Sequence, residues 1–210
     1  MLKSPFLLVF ALALAGCFTG GEISPAPDDD VDLPGDEPPE DPVPPEQPTP
    51  PEEPPPVEPE NPACAGGPLE SPIEDCAPEL PASTGDSHAD CVNRINQLRF
   101  WCQCLPPLQR WSDGETCAND MAERDHNNND AHNGFQSGMC NGGYAQNECP
   151  SWGSIEQCVE GCLQMMWDEG PGSFFGGNGH YLNMTNSAYS RVACGFFEGS
   201  NGTWSVQNFQ

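Results

Sequence analysis

The sequence predicts an α+β sandwich, small and stapled by disulfides, carried behind a long disordered tether. Three observations lead there. Apolar stripes of helical period come first in the folded part of the chain, a glycine- and asparagine-rich middle follows, and two strand-like runs joined by a hairpin connection come last. Twelve cysteines accompany them.

Taken in order, the chain opens MLKSPFLLVFALALAGC. Lys3 precedes an apolar stretch from Phe6 to Leu14, and Leu14-Ala15-Gly16 stands directly before Cys17, the pattern of a secretory signal with a lipobox. Cleavage is expected between Gly16 and Cys17, with acylation of Cys17 by more than one chain, which makes a stable anchor. The alternative is an ordinary secretion signal. The apolar stretch is too short to span a bilayer as a helix, and no later stretch approaches the roughly eighteen apolar residues required. Residues 1–16 are therefore read as the signal peptide of an exported lipoprotein, anchored by lipid to a bacterial envelope or extracellular. Phe18 follows the cysteine where an aspartate is associated with inner-membrane retention, which favours the outer membrane.

Residues 17–62 are proline, glutamate and aspartate with hardly an aromatic side chain, as in PPEDPVPPEQPTPPEEPPPVEPENP. Such a segment cannot bury enough apolar surface to offset chain entropy and is predicted to stay extended and polyproline-like. At 3.1 Å per residue, about forty residues reach on the order of 130 Å. It reads as a tether, with a proline-rich ligand for a partner domain as the alternative. Residues 63–85 form a short connector holding Cys64 and Cys76, which either close a loop on themselves or staple the connector to the domain.

The formal net charge of −26 excludes a nucleic-acid partner, since phosphates require lysine and arginine and no lysine remains after Lys3. In an exported chain the cysteines read as disulfides rather than zinc ligands. With Cys17 lipidated, eleven remain, so either one thiol stays free or one bridge is intermolecular.

Residues 86–210 hold all five tryptophans and read as one domain whose modest core is helped by disulfides. The first helix is predicted in HADCVNRINQLRFW, with Val92, Ile95 and Leu98 on one stripe and Asp86 or Ser87 as cap. The second lies in TCANDMAERDH, with Met121 and Ala122 on its apolar side. The third starts at Ser154, where Ser-Ile-Glu-Gln is a capping box, and carries Ile155, Val159, Cys162 and Met166 inward, a stripe that lands next on Glu169. RVACGFFE and TWSVQNF are strands joined through Gly199-Ser200-Asn201-Gly202. His126 and the stretch HNNNDAH that it opens invite a metal reading because Asp130 and His132 are close by, but read first as a polar helix end and solvated loop. The glycosylation sequons at Asn183 and Asn201 are discounted in a bacterial chain.

GHYLNM at 179–184 followed by YSRVACGF at 189–196 resembles the signature of the CAP superfamily of cysteine-rich secretory, antigen 5 and pathogenesis-related proteins. Around it stand Asn93-Arg94, Leu108 and Trp111, Ala131-His132, Met166-Trp167-Asp168-Glu169, and Trp204-x-Val206-x-Asn208-Phe209, so the resemblance covers Ala89 to Gln210. It implies a three-layer α-β-α sandwich with a central antiparallel sheet and a cleft lined by two histidines and two glutamates able to hold a divalent cation. His180, His132 and Glu169 match three of those positions. The second glutamate falls near Gly142-Gly143-Tyr144, which holds no acid, and a slip of a few residues offers Glu148 instead. Met166 stands where the family has tryptophan, and the tryptophan that follows Gly-His-Tyr in animal members is absent.

Two neutral imidazoles and a carboxylate suit zinc or a similar ion with open positions left for water or ligand. The competing reading makes His180 a polar residue at the start of a strand and pairs Glu169 with Arg191. No Gly-x-Ser-x-Gly or His-Glu-x-x-His occurs, so no catalytic residue is nominated. The family is mostly described as binding lipids, sterols or proteins. The first reading is thus a non-enzymatic extracellular module for a small apolar ligand, lipid or protein, with a metal-dependent hydrolase and a structural display protein as alternatives.

Overall fold

The structure, a computed structural model, describes residues 61–210. Gly16, Cys17, the signal peptide and the tether up to residue 60 lie outside the described residues.

Helix α1, Ser87–Gln103, starts where the sequence places it because the Asp86 carboxylate accepts from the N–H groups of His88 and Ala89, satisfying two donors that have no partner inside the helix. It buries Val92, Ile95 and Leu98 as predicted, with Cys91 and Cys102 beside them. Helix α2, Ser112–Asn128, overruns its predicted span at both ends and buries Ala118, Met121 and Ala122. A single turn, α3, occupies Asn133–Gln136.

The third predicted helix exists but is not uniform. Ser154 caps it, its side chain accepting from Gln157 N at 3.1 Å. Helix α4, Ile155–Gln157, passes through a π segment at Cys158–Cys162 into α5, Leu163–Asp168. A π turn admits an extra residue and rotates the faces that follow. Ile155 and Val159 therefore stay at the margin, while Cys158, Cys162, Leu163, Met166 and Trp167 are buried.

The sheet has the order β1-β3-β4-β2. Strands β3, Arg191–Gly199, and β4, Gly202–Phe209, are the predicted hairpin, antiparallel from Val192↔Phe209 to Gly199↔Gly202. Two strands were not foreseen. β1 is only Gln109–Arg110 and runs parallel to β3, the one exception to an antiparallel sheet. β2, Ala145–Trp152, pairs antiparallel with β4 on the other edge. Its sequence AQNECPSW has no alternating apolar residues, and Pro150 is tolerated because an edge strand has one unpaired side.

The layers follow from strand alternation. Ala193, Trp204 and Val206 face α2 with Ala118, Met121 and Ala122. Val192, Cys194 and Phe209 face the opposite way, onto α1, α5 and the seven-residue helix α6, Gly179–Thr185. Helix α2 lies so close to β3 that a Cβ on Gly195 would come within 2.1 Å of the Ala118 backbone.

Cys64 and Cys76 do not pair with each other. They bridge to Cys104 and Cys102, stapling the connector to the end of α1. Cys91–Cys194 ties α1 to β3, Cys117–Cys140 ties α2 to the turn at Met139–Asn141, and Cys149–Cys162 ties β2 to the π segment. Among the described residues Cys158 alone is a free thiol, and it is buried.

Candidate functional site

A cleft of about 390 Å³ straddles edge strand β2. His132 and Phe135 line it from the α3 side, His180 and Asn183 from α6, Ala145 and Gln146 from β2, and Tyr144 from the residue just before that strand. His132 and His180, far apart in sequence, thus share one cavity.

His180 is not at the start of a strand. It sits in the first turn of α6, and Glu169, the last residue reached by the α5 stripe, holds it there. One Glu169 oxygen accepts from the N–H groups of His180, at 3.0 Å, and Tyr181, at 3.4 Å. The other lies 2.5 Å from His180 Nδ1. A carboxylate at a helix N-terminus meets unsatisfied donors and the positive end of the dipole, so Glu169 is matched to His180 rather than to Arg191. Arg191 instead stacks over Trp111, 4.6 Å from the ring centroid. Asn178 closes the intervening loop by donating to the carbonyls of Glu169 and Gly170 and accepting from Ser173 N.

His132 occupies the residue before α3 with φ 63°, in the left-handed region. Glu148 holds that conformation. Its Oε2 accepts from His132 N at 2.5 Å and lies 3.6 Å from Nδ1, while Gln146 Oε1 is 2.7 Å from Nδ1. Gln146 and Glu148 are two apart on β2, so both project to one face and reach the same histidine. Asn147 projects to the other face, donating to His180 O at 3.0 Å. One strand therefore positions both sides of the cleft. Glu148, reached in the sequence only through a slip of the family motif, stands against His132.

Both imidazoles turn Nδ1 to an acceptor oxygen, which assigns the proton to Nδ1 and leaves the lone pair on Nε2. Neither Nε2 has a hydrogen-bond partner among the described residues. An acceptor on Nδ1 is the arrangement that orients a histidine for a metal. The carboxylates, however, serve the histidines and the backbone. Among the described residues no group of three or more His, Cys, Asp or Glu is placed to hold an ion. A divalent ion placed here would have the two ring nitrogens as its protein donors, with the other positions left to water or ligand.

Behind His132 lies a buried acid pair. Asp125 and Glu148 are within hydrogen-bonding reach of each other. Asp125 Oδ1 accepts from Gly134 N at 2.6 Å, and Asp125 Oδ2 and Glu148 Oε1 are both buried without a partner. Burial and the neighbouring charge both disfavour the doubly ionised pair. Burial pushes Glu148 up to about 8, with the neighbouring Asp125 charge adding to it, and burial raises Asp125 as well.

The family model for CAP, the cysteine-rich secretory protein family, matches residues 92–209. The chain belongs to the CAP family. The match covers all four strands and the cleft residues on both sides of β2. Comparison with curated proteins found no match.

Sequence reasoning missed several residues of this CAP cleft. Gln146 in the cleft and Asn178 in the loop before α6 carry no signal, since amides at those positions are recognisable only by what they hold. Tyr144 and Phe174 form the exposed lips, 72% and 61% accessible. Their signal was available: two aromatics, Phe174-Phe175, in a glycine-rich loop with no strand or helix stripe to bury them. His126 was read as part of a polar helix end, but its ring is buried against Phe197 and Trp204. Asn183 is buried too, its amide donating to Asn147 Oδ1 at 2.8 Å, which closes that sequon in the folded protein.

Proposed function

We propose that this CAP domain is a non-enzymatic extracellular binding module for a small apolar or lipid-like ligand, held in the cleft over β2 and displayed on a lipid-anchored tether. The observation that carries the reading is the composition of the cleft. Tyr144, Phe174, Phe135 and Tyr189 supply aromatic walls, and His132 and His180 supply polar groups among them. Pockets that bind small ligands combine apolar lining with a few placed polar groups. Binding is preferred over turnover because no serine, threonine or cysteine lines the cleft among the described residues, which leaves no activated nucleophile of that type.

A divalent cation such as zinc would be held by His132 and His180, with Glu148 and Glu169 fixing their orientation, and would supply a positive anchor for a ligand headgroup. Export is supported by five disulfides in the described domain. The anchor rests on Leu-Ala-Gly-Cys, where acylation of Cys17 after cleavage at Gly16 gives an outer-membrane lipoprotein.

The test is calorimetric titration of zinc, and separately of a long-chain fatty acid, into the full chain and into His132→Ala, His180→Ala and Phe174→Ser. Zinc binding that is lost in either histidine variant and fatty-acid binding weakened about tenfold in Phe174→Ser are the expected results. No uptake of either ligand at tens of micromolar, or chelator-sensitive turnover of an ester or peptide panel, would replace this reading. Cys17→Ala should release the protein from membranes.

A further inference from the structure

Every residue that lines the cleft comes from one of two stretches, 131–147 and 170–190. Among the described residues these are the two longest runs without an Asp, Glu, Lys or Arg, in a chain whose net charge is −26. The same two runs carry all three of the exposed aromatic side chains among the described residues, Tyr144, Phe174 and Phe175. Tyr144 and Phe174 are the lips of the cleft, whereas Phe175 does not line it and is fully exposed. Charge has thus been kept off the part of the surface where the rings stand.

The loop holds the rings out in water. Phe174–Gly176 is a single 3-10 turn whose first N–H groups are met by Ser173, its Oγ accepting from Gly176 N at 3.1 Å. Asn178 ties that turn back to the end of α5, and it lies so close that a Cβ on Gly172 would come within 2.1 Å of its Oδ1. Gly170 and Gly177 turn the chain at either side with φ of 64° and 85°, a region glycine enters freely. A loop already fixed in this way loses little conformational freedom when it docks.

We propose that this rim is a contact for a zwitterionic lipid surface, with Phe174 and Phe175 entering the headgroup boundary and the cleft opening onto lipid beside them. Exposed apolar patches mark protein or membrane contacts, and two observations favour the membrane. Gly172, Gly176 and Gly177 flank the rings and offer a protein partner no side chains for a polar rim, whereas a bilayer boundary takes aromatic rings without a shaped counter-surface. No ionised side chain in either run has to leave water when the rings go in. The acidity of the rest of the chain selects a neutral headgroup, because an anionic leaflet repels it. The contact goes beyond ligand uptake by the cleft and does not depend on it.

The test uses the full chain as Cys17→Ala, so that no acyl anchor contributes, with vesicles of phosphatidylcholine or of phosphatidylglycerol. Sedimentation with phosphatidylcholine is expected, weaker with phosphatidylglycerol, and reduced about tenfold by adding Phe175→Ser, which removes one buried ring. Phe175→Ser should leave fatty-acid binding in the cleft unchanged, so the two readings fail separately. The added emission of Phe175→Trp should be quenched by bromine on the phosphatidylcholine acyl chains, and that of Met165→Trp, an exposed site outside both runs, should not. Equal sedimentation with and without Phe175, tighter binding to phosphatidylglycerol, an unquenched Phe175→Trp, or equal quenching at both sites overturns the proposal. A dimer dispersed by Phe175→Ser in a chain that ignores vesicles also overturns it, because the rings would then meet a second copy.

Discussion

Glu148 ties three levels of the molecule together through one side chain. It accepts from the backbone N–H of His132, which holds a left-handed residue at the cleft wall, and it shares the buried space behind that residue with Asp125. Its carboxyl is held up to about 8 by burial, against 4.5 when exposed. Between those values the unfolded chain has released the proton and the folded one has kept it. The folded state binds more protons, so stability falls as pH rises from about 4.5 to about 8; raised Asp125 contributes with the same sign. The urea midpoint should therefore drop between pH 5 and pH 8. In Glu148→Gln the drop should shrink, because an amide can accept from His132 and donate to Asp125 at every pH. An undiminished slope in that variant would place the titration elsewhere.

At the scale of elements, the contact that organises the fold is α2 against the β3–β4 hairpin. Gly195 permits it. A methyl group there would lie within 2.1 Å of the Ala118 carbonyl carbon and 2.3 Å of Asn119 N, and both are helix backbone that cannot step aside. Gly195→Ala should push α2 off the sheet and cost about 3 kcal/mol, at the upper end of what overpacking usually does. Gly66→Ala, with nothing within 4 Å of the added carbon, should change the urea midpoint hardly at all, and equal effects at the two positions would refute the packing account. The same close approach aligns β3 with the sheet and, through β4, fixes edge strand β2, whose alternation sends Gln146 and Glu148 to His132 and Asn147 to His180.

For the whole molecule, the bridges join layers that a modest core would leave marginally held. Cys91–Cys194 closes the longest loop among the described bridges, spanning 103 residues, and Cys149–Cys162 the shortest, spanning 13. If unfolded-state entropy governs, removing the first as a double alanine variant should cost about 4.7 kcal/mol and removing the second about 3 kcal/mol. Denaturant unfolding of the two variants gives the order directly, and a larger loss for the short loop would shift the explanation to native packing. Cys158 provides a matching probe. Burial pushes its thiol up to about 12, so it should resist alkylation in the native chain and react as a single thiol once the chain is denatured without reductant.

The sequence by itself determined what rests on local chemistry. Asp86 and Ser154 as caps, the stripe of α1 and the final hairpin depend on neighbours within a few residues, and all are where the sequence puts them. The cysteines also pair as disulfides, with Cys158 the one free thiol among the described residues. The order of family-like motifs also named His132, His180 and Glu169 before any contact was known. Tertiary structure decided the rest. β2 has no apolar alternation and is a strand only because β4 offers it a ladder of hydrogen bonds. The π segment turned part of a predicted inner face outward. Cys64 and Cys76 could have met each other, and only the position of α1 gave them separate partners. Above all, Glu169 and Glu148 were read as cleft carboxylates, yet each faces its histidine's Nδ1 and nearby backbone N–H groups. The period of a helix or strand fixes which residues share a face, whereas which atom of a neighbour that face meets depends on how the layers are stacked.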